Sequence, residues 1–552
     1  MDDYQYHLLE EIRANRLTRR TFMRRASVAG LSLASMNLIL SGCGPAATER
    51  GRTDPDNDVG PPRRGGTARI ALPPPTAAVD PVQMDNIGAN MTVPVAAEYL
   101  AYPDSDYVLK PALSTKWRAV NPERPDAWEF TIRQGVKFHD GRPMTVDDVV
   151  ASIARLANPA SNSPALTNFD GILTDQGVEK VDARTVRFNL ERPFADFPYA
   201  VSAFNYNTVI LPKDYEIGEF DKGGVGTGPY ILSNVHPKVR AEFVRNPDYW
   251  HPKLPYLDKV VVQYFNDTAS AVLAIQAGEV DLYANTPYQG SEALFGDPNI
   301  FVYENDSSEY RAVHMRVDKP PFDDKRVRQA VAYSLDRQAL IDGLFGGRAK
   351  PGNDHGFAPI FPVSDRAIEN IAQRTQDYAK AKSLLRDAGH PNGIDVALTC
   401  EDYLEEPAYG VSLGQQAKGA NIRINVKTMP QAQYYGSADS GQPWLTVPFG
   451  LTGWGERGTA VQLIAPALTS RGVWNSSQWS DETFTRLMAD LAGTVDLQSQ
   501  RRIAAEAATI QNEETPAIIA YWVKQLRAKR TNVHGIASGP VSHLEVSKLW
   551  KS

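Results

Sequence analysis

Two short stretches carry residue types that could do chemistry. Gly410-Val411-Ser412-Leu413-Gly414 fits Gly-x-Ser-x-Gly, the pattern that sets a nucleophilic serine on a sharp strand-to-helix turn. That geometry needs a strand running straight into the turn. Here the strand-like run 394–400 is separated from Ser412 by acidic and polar residues, so a secreted serine hydrolase is only a remote alternative. The second stretch is Glu401-Asp402-Tyr403-Leu404-Glu405-Glu406. Its four carboxylates would favour a cationic or hydroxyl-rich ligand, with Tyr403 stacking or hydrogen bonding. They would equally suit the start of a helix, where acids complement the dipole. Gly223–Gly228 looks like a phosphate loop, but it leads into a strand-like run and offers no helix N-terminus to an anion. His139, His314 and His355 lack metal-ligand spacing, and no Cys pair, His-Glu-x-x-His or Walker pattern occurs. The expectation is a binder without a cofactor rather than an enzyme.

The N-terminal residues point to a location. Thr18-Arg19-Arg20-Thr21-Phe22-Met23-Arg24 resembles a twin-arginine export signal, centred on Arg19 and Arg20. The uncharged run 26–42 after it is diluted with Ala, Ser and Gly, and would span hydrocarbon poorly. Leu40-Ser41-Gly42-Cys43 resembles a lipobox, so Cys43 is expected to be acylated and to tether the mature protein to a membrane outside the cytoplasm. Only Cys400 would then remain, excluding an intramolecular disulfide. Removing residues 1–42, with six Arg and four Asp or Glu, takes the formal charge from −7 to −9, which argues against a nucleic-acid partner. Residues 43–66, rich in Gly, Pro and charge, read as a flexible tether.

The elements that must position any site begin at 67–73, an alternating strand. Residues 127–139 alternate around Gln134-Gly135 as a hairpin would. Residues 145–157 start with a Thr cap and acids and place Val149, Ile153 and Leu156 on one face of a helix. Further helices are expected over 327–345, 377–389, 480–493 and 498–516, with a strand after Pro516. Strands and helices are interspersed without a repeat, which gives an α/β class.

Several motifs then occur in a recognisable order. Trp128 to Gly141 (WEFTIRQGVKFHDG) is followed by Met144-Thr145-Val146-Asp147-Asp148-Val149, Gly226-Thr227-Gly228-Pro229-Tyr230, Arg245 to Trp250 (RNPDYW), Ala277 to Asp281 (AGEVD), Pro321 to Ala330 (PFDDKRVRQA) and Asp336-Arg337. From residue 67 to the C-terminus the chain resembles the family 5 extracellular solute-binding proteins, which bind dipeptides, oligopeptides or nickel for ABC importers. The resemblance implies a two-lobed periplasmic-binding-protein fold of class II with an extra inserted small domain. The expected division is 67–97, 206–290 and 517–552 for the first lobe, 98–205 for the inserted domain and 291–516 for the second lobe. It also implies a periplasmic monomer that captures a peptide or peptide-like polar solute between its lobes. The partners would be an ABC permease and its ATPase subunits. A cationic conjugate, opine, oligosaccharide or nickel chelate is the alternative ligand.

In peptide-binding members, a Trp-containing loop of the second lobe ends in an aspartate that pairs with the peptide's amino group. The corresponding stretch here is 451–462, with Trp454 as apolar platform and Glu456 as the nearest acid; the usual Asp-x-x-Asp-Pro is absent. Where dipeptide-binding relatives can carry a basic residue for the peptide carboxylate, this chain has Glu401, Asp402 and Tyr403. Asn86 and Asn90, in the loop after the first strand, would offer amide hydrogen bonds, and Trp474 would wall the pocket.

Overall fold

The strand Thr67–Leu72 buries Ala68, Ile70 and Leu72 and lies parallel to Lys259–Tyr264 on one side and Leu282–Thr286 on the other. The computed structural model that shows this describes residues 59–76, 79–436, 441–536, 539 and 544–552, so Arg19, Arg20, Cys43 and most of the expected tether lie outside the described residues. The sheet around this strand has seven members, in the order 300–305, 525–530, 282–286, 67–72, 259–264, 240–245, 230–236. A second sheet has six, in the order 349–351, 517–523, 310–315, 449–454, 394–401, 422–429. Within it, helix Glu406–Ala417 connects the parallel strands Ile394–Glu401 and Ile422–Met429, so the acidic stretch is a strand-to-helix turn. A four-stranded antiparallel sheet, 114–119, 127–132, 185–189 and 178–180, makes a smaller layer.

These sheets give the expected two-lobed α/β architecture, but the crossings fall elsewhere than the expected boundaries at 290 and 516. Strand Ile300–Asn305 belongs to the seven-stranded sheet and Ala517–Val523 to the six-stranded one. The reason is pairing. Ile300–Asn305 runs antiparallel to Gln525–Arg530, and Tyr310–Met315 runs antiparallel to Ala517–Val523. The chain therefore passes between the lobes at residues 306–309 and at Lys524, side by side.

Two local expectations are corrected. Ala127–Ile132 pairs with 114–119 and 185–189 rather than folding back on 136–139. Its alternating side chains are buried by this sheet, and Gly135 (φ 79°) turns the chain away. The run 327–345 is two helices, Lys325–Tyr333 and Arg337–Phe345, because the Asp336 side chain caps the second by accepting from Ala339 N–H. The helix Val146–Ala157 does carry a full capping box between Thr145 and Asp148.

The shared motifs meet one another in space. His139 sets its ring nitrogens 3.3 and 3.0 Å from the carbonyls of Gly224 and Gly228, and Asn246 donates to the Gly228 carbonyl at 3.0 Å. A Cβ at Gly226 or Gly228 would overlap the Ala96 carbonyl, so only glycine permits this approach. Buried Glu98 accepts from Thr227, Tyr249 and Trp250 at 2.7–3.0 Å. Across the second lobe, Asp354 is fully buried between Arg337, at 2.7 Å, and Arg374.

Candidate functional site

Strand ends from both large sheets converge on a cavity of about 600 Å³. The seven-stranded side contributes Leu72, Tyr283 and Asn285, and the helix Ile87–Thr92, capped by Asn86, adds Asn90. From the six-stranded side come Arg311, the turn Tyr403–Glu405 and the loop Gly455–Arg457. Both crossings lie on its wall, through Glu309 and Lys524. Its size suits a small ligand, and its lining is unusually rich in paired charge for such a site.

Arg311 is the hub of the acidic wall. It lies 2.8 Å from Glu309, 2.9 Å from Glu405 and 3.4 Å from Glu406. Burial works against its charge, yet these carboxylates, led by Glu405 and Glu309, hold its pKa well above the ordinary arginine value. Three carboxylates around one guanidinium cannot all be neutralised by it. Burial, with the neighbouring charges of Glu401 and Glu405, pushes the Glu406 carboxyl up to about 9 even though Arg311 opposes the shift. Glu401 stands behind it, 3% exposed, accepting from the Tyr435 hydroxyl at 2.8 Å. Burial, with Glu406, Glu401 and Asp402, likewise pushes the Cys400 thiol up to about 12, so it is an unreactive core group.

At Arg348 and Lys524 two cations share Glu304. The loop after Trp454 is pinned to the first crossing: Ser308 Oγ donates to the Arg457 carbonyl at 2.8 Å and accepts from Arg457 N–H at 2.9 Å. Tyr107, buried and at φ 60°, donates its hydroxyl to Glu456 and accepts from Ser308 N–H at 3.1 Å. One phenol thus joins the loop 455–457 to the first crossing. Nearby, Ala195 N–H donates to the Ala492 carbonyl at 2.6 Å, bringing the region after the four-stranded sheet against the helix Glu482–Gly493.

Of the residues expected to bind ligand, Asn90, Tyr403 and Glu456 line the cavity. The others do not. Trp454 stacks on Tyr310 at 6.1 Å and meets Trp444 and Trp474 edge to face, so Trp454 and Trp474 are parts of one aromatic cluster rather than platform and wall. Glu401 is buried behind the wall, Asp402 is exposed away from it, and Asn86 spends its oxygen on Ala89 N–H. Sequence reasoning missed Glu309, Arg311, Arg348, Arg457 and Lys524. The charged pair Glu456-Arg457 between Gly455 and Gly458 was a local hint, since glycines let a charged loop close on a ligand. Ser412 lies inside the helix Glu406–Ala417, not on a strand-to-helix elbow.

The family model "Bacterial extracellular solute-binding proteins, family 5 Middle" matches residues 108–470. The glutathione-binding protein GsiB of Salmonella typhi is 28% identical over 418 residues, covering 74% of this chain and 80% of that protein. The periplasmic binding protein DppA of Helicobacter pylori, solved in complex with the peptide STSA, shares the fold with a TM-score of 0.72 and 22% identity over 89% of this chain and 98% of that one. HbpA2 of Haemophilus parasuis does so with a TM-score of 0.77 and 21% identity over 88% of this chain and 100% of that one. With a two-lobed fold, an interlobe cavity and a family match across most of its length, this chain belongs to the bacterial extracellular solute-binding proteins of family 5.

Proposed function

We propose that the protein is the extracytoplasmic binding component of an ABC importer and that it carries a small zwitterionic, peptide-like solute. The observation that supports this reading is the charge on the cavity wall. Carboxylates at Glu309, Glu405 and Glu456 face the same space as cations at Arg311, Arg348, Arg457 and Lys524. A ligand with one ammonium and one carboxylate would find partners of both signs, and charge-assisted hydrogen bonds would fix its orientation. The peptide STSA, held by DppA, is a ligand of this type, and glutathione, named for GsiB, carries the same pair of charges plus a second carboxylate.

In this role the chain does no chemistry. Ligand held by both lobes binds the closed form better than the open one and shifts the hinge at 306–309 and Lys524 towards closure. The closed protein, a monomer, then docks on a permease powered by separate ATPase subunits. Acylated Cys43 keeps it at the membrane after twin-arginine export, so Cys43→Ser would move it from the membrane to the soluble fraction.

The test is a thermal-shift screen of peptides of two to five residues and glutathione, against N-acetylated peptides, polyols and nickel–histidine, with calorimetry on the hits. Stabilisation by free zwitterions above their acetylated forms is expected. Stabilisation by polyols or nickel chelates alone would sink the peptide-like reading. Simple amines acting better than zwitterions would favour a cationic conjugate, the second reading, which the excess of carboxylates around Arg311 supports.

A further inference from the structure

We infer that Arg457 and Tyr206 together form the receptor for a carboxylate of the ligand, and that this contact draws the two lobes together. The inference deepens the reading above, on which it rests for the identity of the cavity as the binding site. Both side chains line that cavity but arrive from opposite lobes. Arg457 follows the strand Phe449–Trp454 of the six-stranded sheet, and its backbone is clamped to Ser308 in the first crossing. Tyr206 is held on the other side: its carbonyl accepts from the Tyr99 hydroxyl at 2.9 Å, and its neighbour Asn207 donates to the carbonyls of Pro81 and Met84 at 2.9 and 3.0 Å.

Arg457 brings an unbridged charge to the cavity wall. Its guanidinium donates to the carbonyl of Glu456 at 2.9 Å and makes no salt bridge among the described residues. The Glu456 carboxylate takes the Tyr107 hydroxyl, and its charge acts on buried Arg527 as well as on Arg457. A half-buried guanidinium on the cavity wall, answered by a backbone carbonyl rather than a salt bridge, is placed to meet an anionic group of the ligand. Burial lowers the Arg457 pKa, against the pull of Tyr206, Tyr310 and Glu456, in keeping with a cation short of partners.

Tyr206 supplies a second donor. Its side chain lines the cavity together with Asn90, and a phenol at that wall has a proton to donate. Burial raises the Tyr206 pKa, so that proton stays in place. A planar guanidinium and a phenol lining one space match the two oxygens of a carboxylate, whereas a neutral amide or alcohol would bring the guanidinium no counter-charge.

The test compares each hit of the screen as the free acid and as its C-terminal amide, by calorimetry on the wild type, Arg457→Gln and Tyr206→Phe. The wild type is expected to prefer the acid by about 10- to 100-fold. Arg457→Gln should erase that preference while leaving the amide within about twofold, and Tyr206→Phe should reduce it about fivefold. Equal binding of acid and amide by the wild type overturns the assignment, even if zwitterions bind and the peptide-like reading stands. So does an Arg457→Gln that weakens acid and amide alike. Should peptides fail and another carboxylate bind with loss in Arg457→Gln, the peptide-like reading falls and this one survives. The acid–amide comparison on the wild type keeps the inference exposed if a variant folds poorly.

Discussion

Glu406→Gln should stabilise the protein, and increasingly so as pH rises. Glu406 is 1% exposed, with its carboxyl pushed up to about 9 by burial, Glu401 and Glu405 against the opposing Arg311. The folded state therefore holds a proton that the unfolded chain, with an ordinary glutamate, releases above a pKa of about 4.5. Below that value both states are protonated and the residue contributes no pH dependence. Above it folding takes up a proton, and stability declines by about 1.4 kcal/mol per pH unit until the folded carboxyl ionises. Between pH 5 and pH 8 this is on the order of 4 kcal/mol. Glutamine has the shape of the protonated acid and cannot ionise. Urea unfolding of both proteins at pH 5, 6, 7 and 8 would give nearly equal stabilities at pH 5 and a widening gap in favour of the variant. Glu98 and Asp196, pushed by burial up to about 7 and about 6, slope the same way but are common to both proteins and cancel in the difference. Parallel curves, or a variant weaker at every pH, would refute the claim that Glu406 is protonated in the fold.

Two other outcomes follow from the geometry. Asp354→Asn should cost about 3–5 kcal/mol in urea unfolding, because it leaves the buried guanidiniums of Arg337 and Arg374 without their shared counter-charge. Although burial opposes its ionisation, these two arginines hold the Asp354 carboxyl below the usual range, so its contribution is lost as pH falls through that depressed pKa, and wild type and variant should converge in acid. Tyr107→Phe should loosen the hold of the loop 455–457 on the first crossing by about 1–3 kcal/mol, since Ser308 N–H and Glu456 both lose a hydrogen-bond partner; weaker ligand binding with a larger radius of gyration in small-angle scattering is the expected readout.

Much of the scaffold was legible because its determinants are local. A capping box at Thr145, a left-handed Gly389 (φ 89°) just past the helix Tyr378–Asp387 and alternation in Thr67–Leu72 each specify their element within a few residues. Three of the motifs that revealed the family form one packing unit, with His139, Asn246 and Glu98 tying down the loop at Gly226–Gly228. The site was harder, because its wall is gathered from segments hundreds of residues apart and side-chain direction decides membership. Asp402 and Tyr403 are neighbours, yet only Tyr403 lines the cavity. Trp454 looked like a ligand platform, but Tyr310, Trp444 and Trp474 use its faces. The acids at 401–406 do begin a helix, though not a solvated one: Glu405 and Glu406 are 3% and 1% exposed and depend on Arg311, a residue some ninety positions earlier.

The order of strands in the two large sheets also bears on how the protein is made. Strand Gln525–Arg530 is inserted between 300–305 and 282–286, and Ala517–Val523 between 349–351 and 310–315. Each is an interior member, so without it a sheet is split and its strands at 300–305 and 349–351 have no neighbour. Neither large sheet is complete until the segment 517–530 is added, and that one segment serves both, so it acts as a clasp; losing it would cost both halves rather than one.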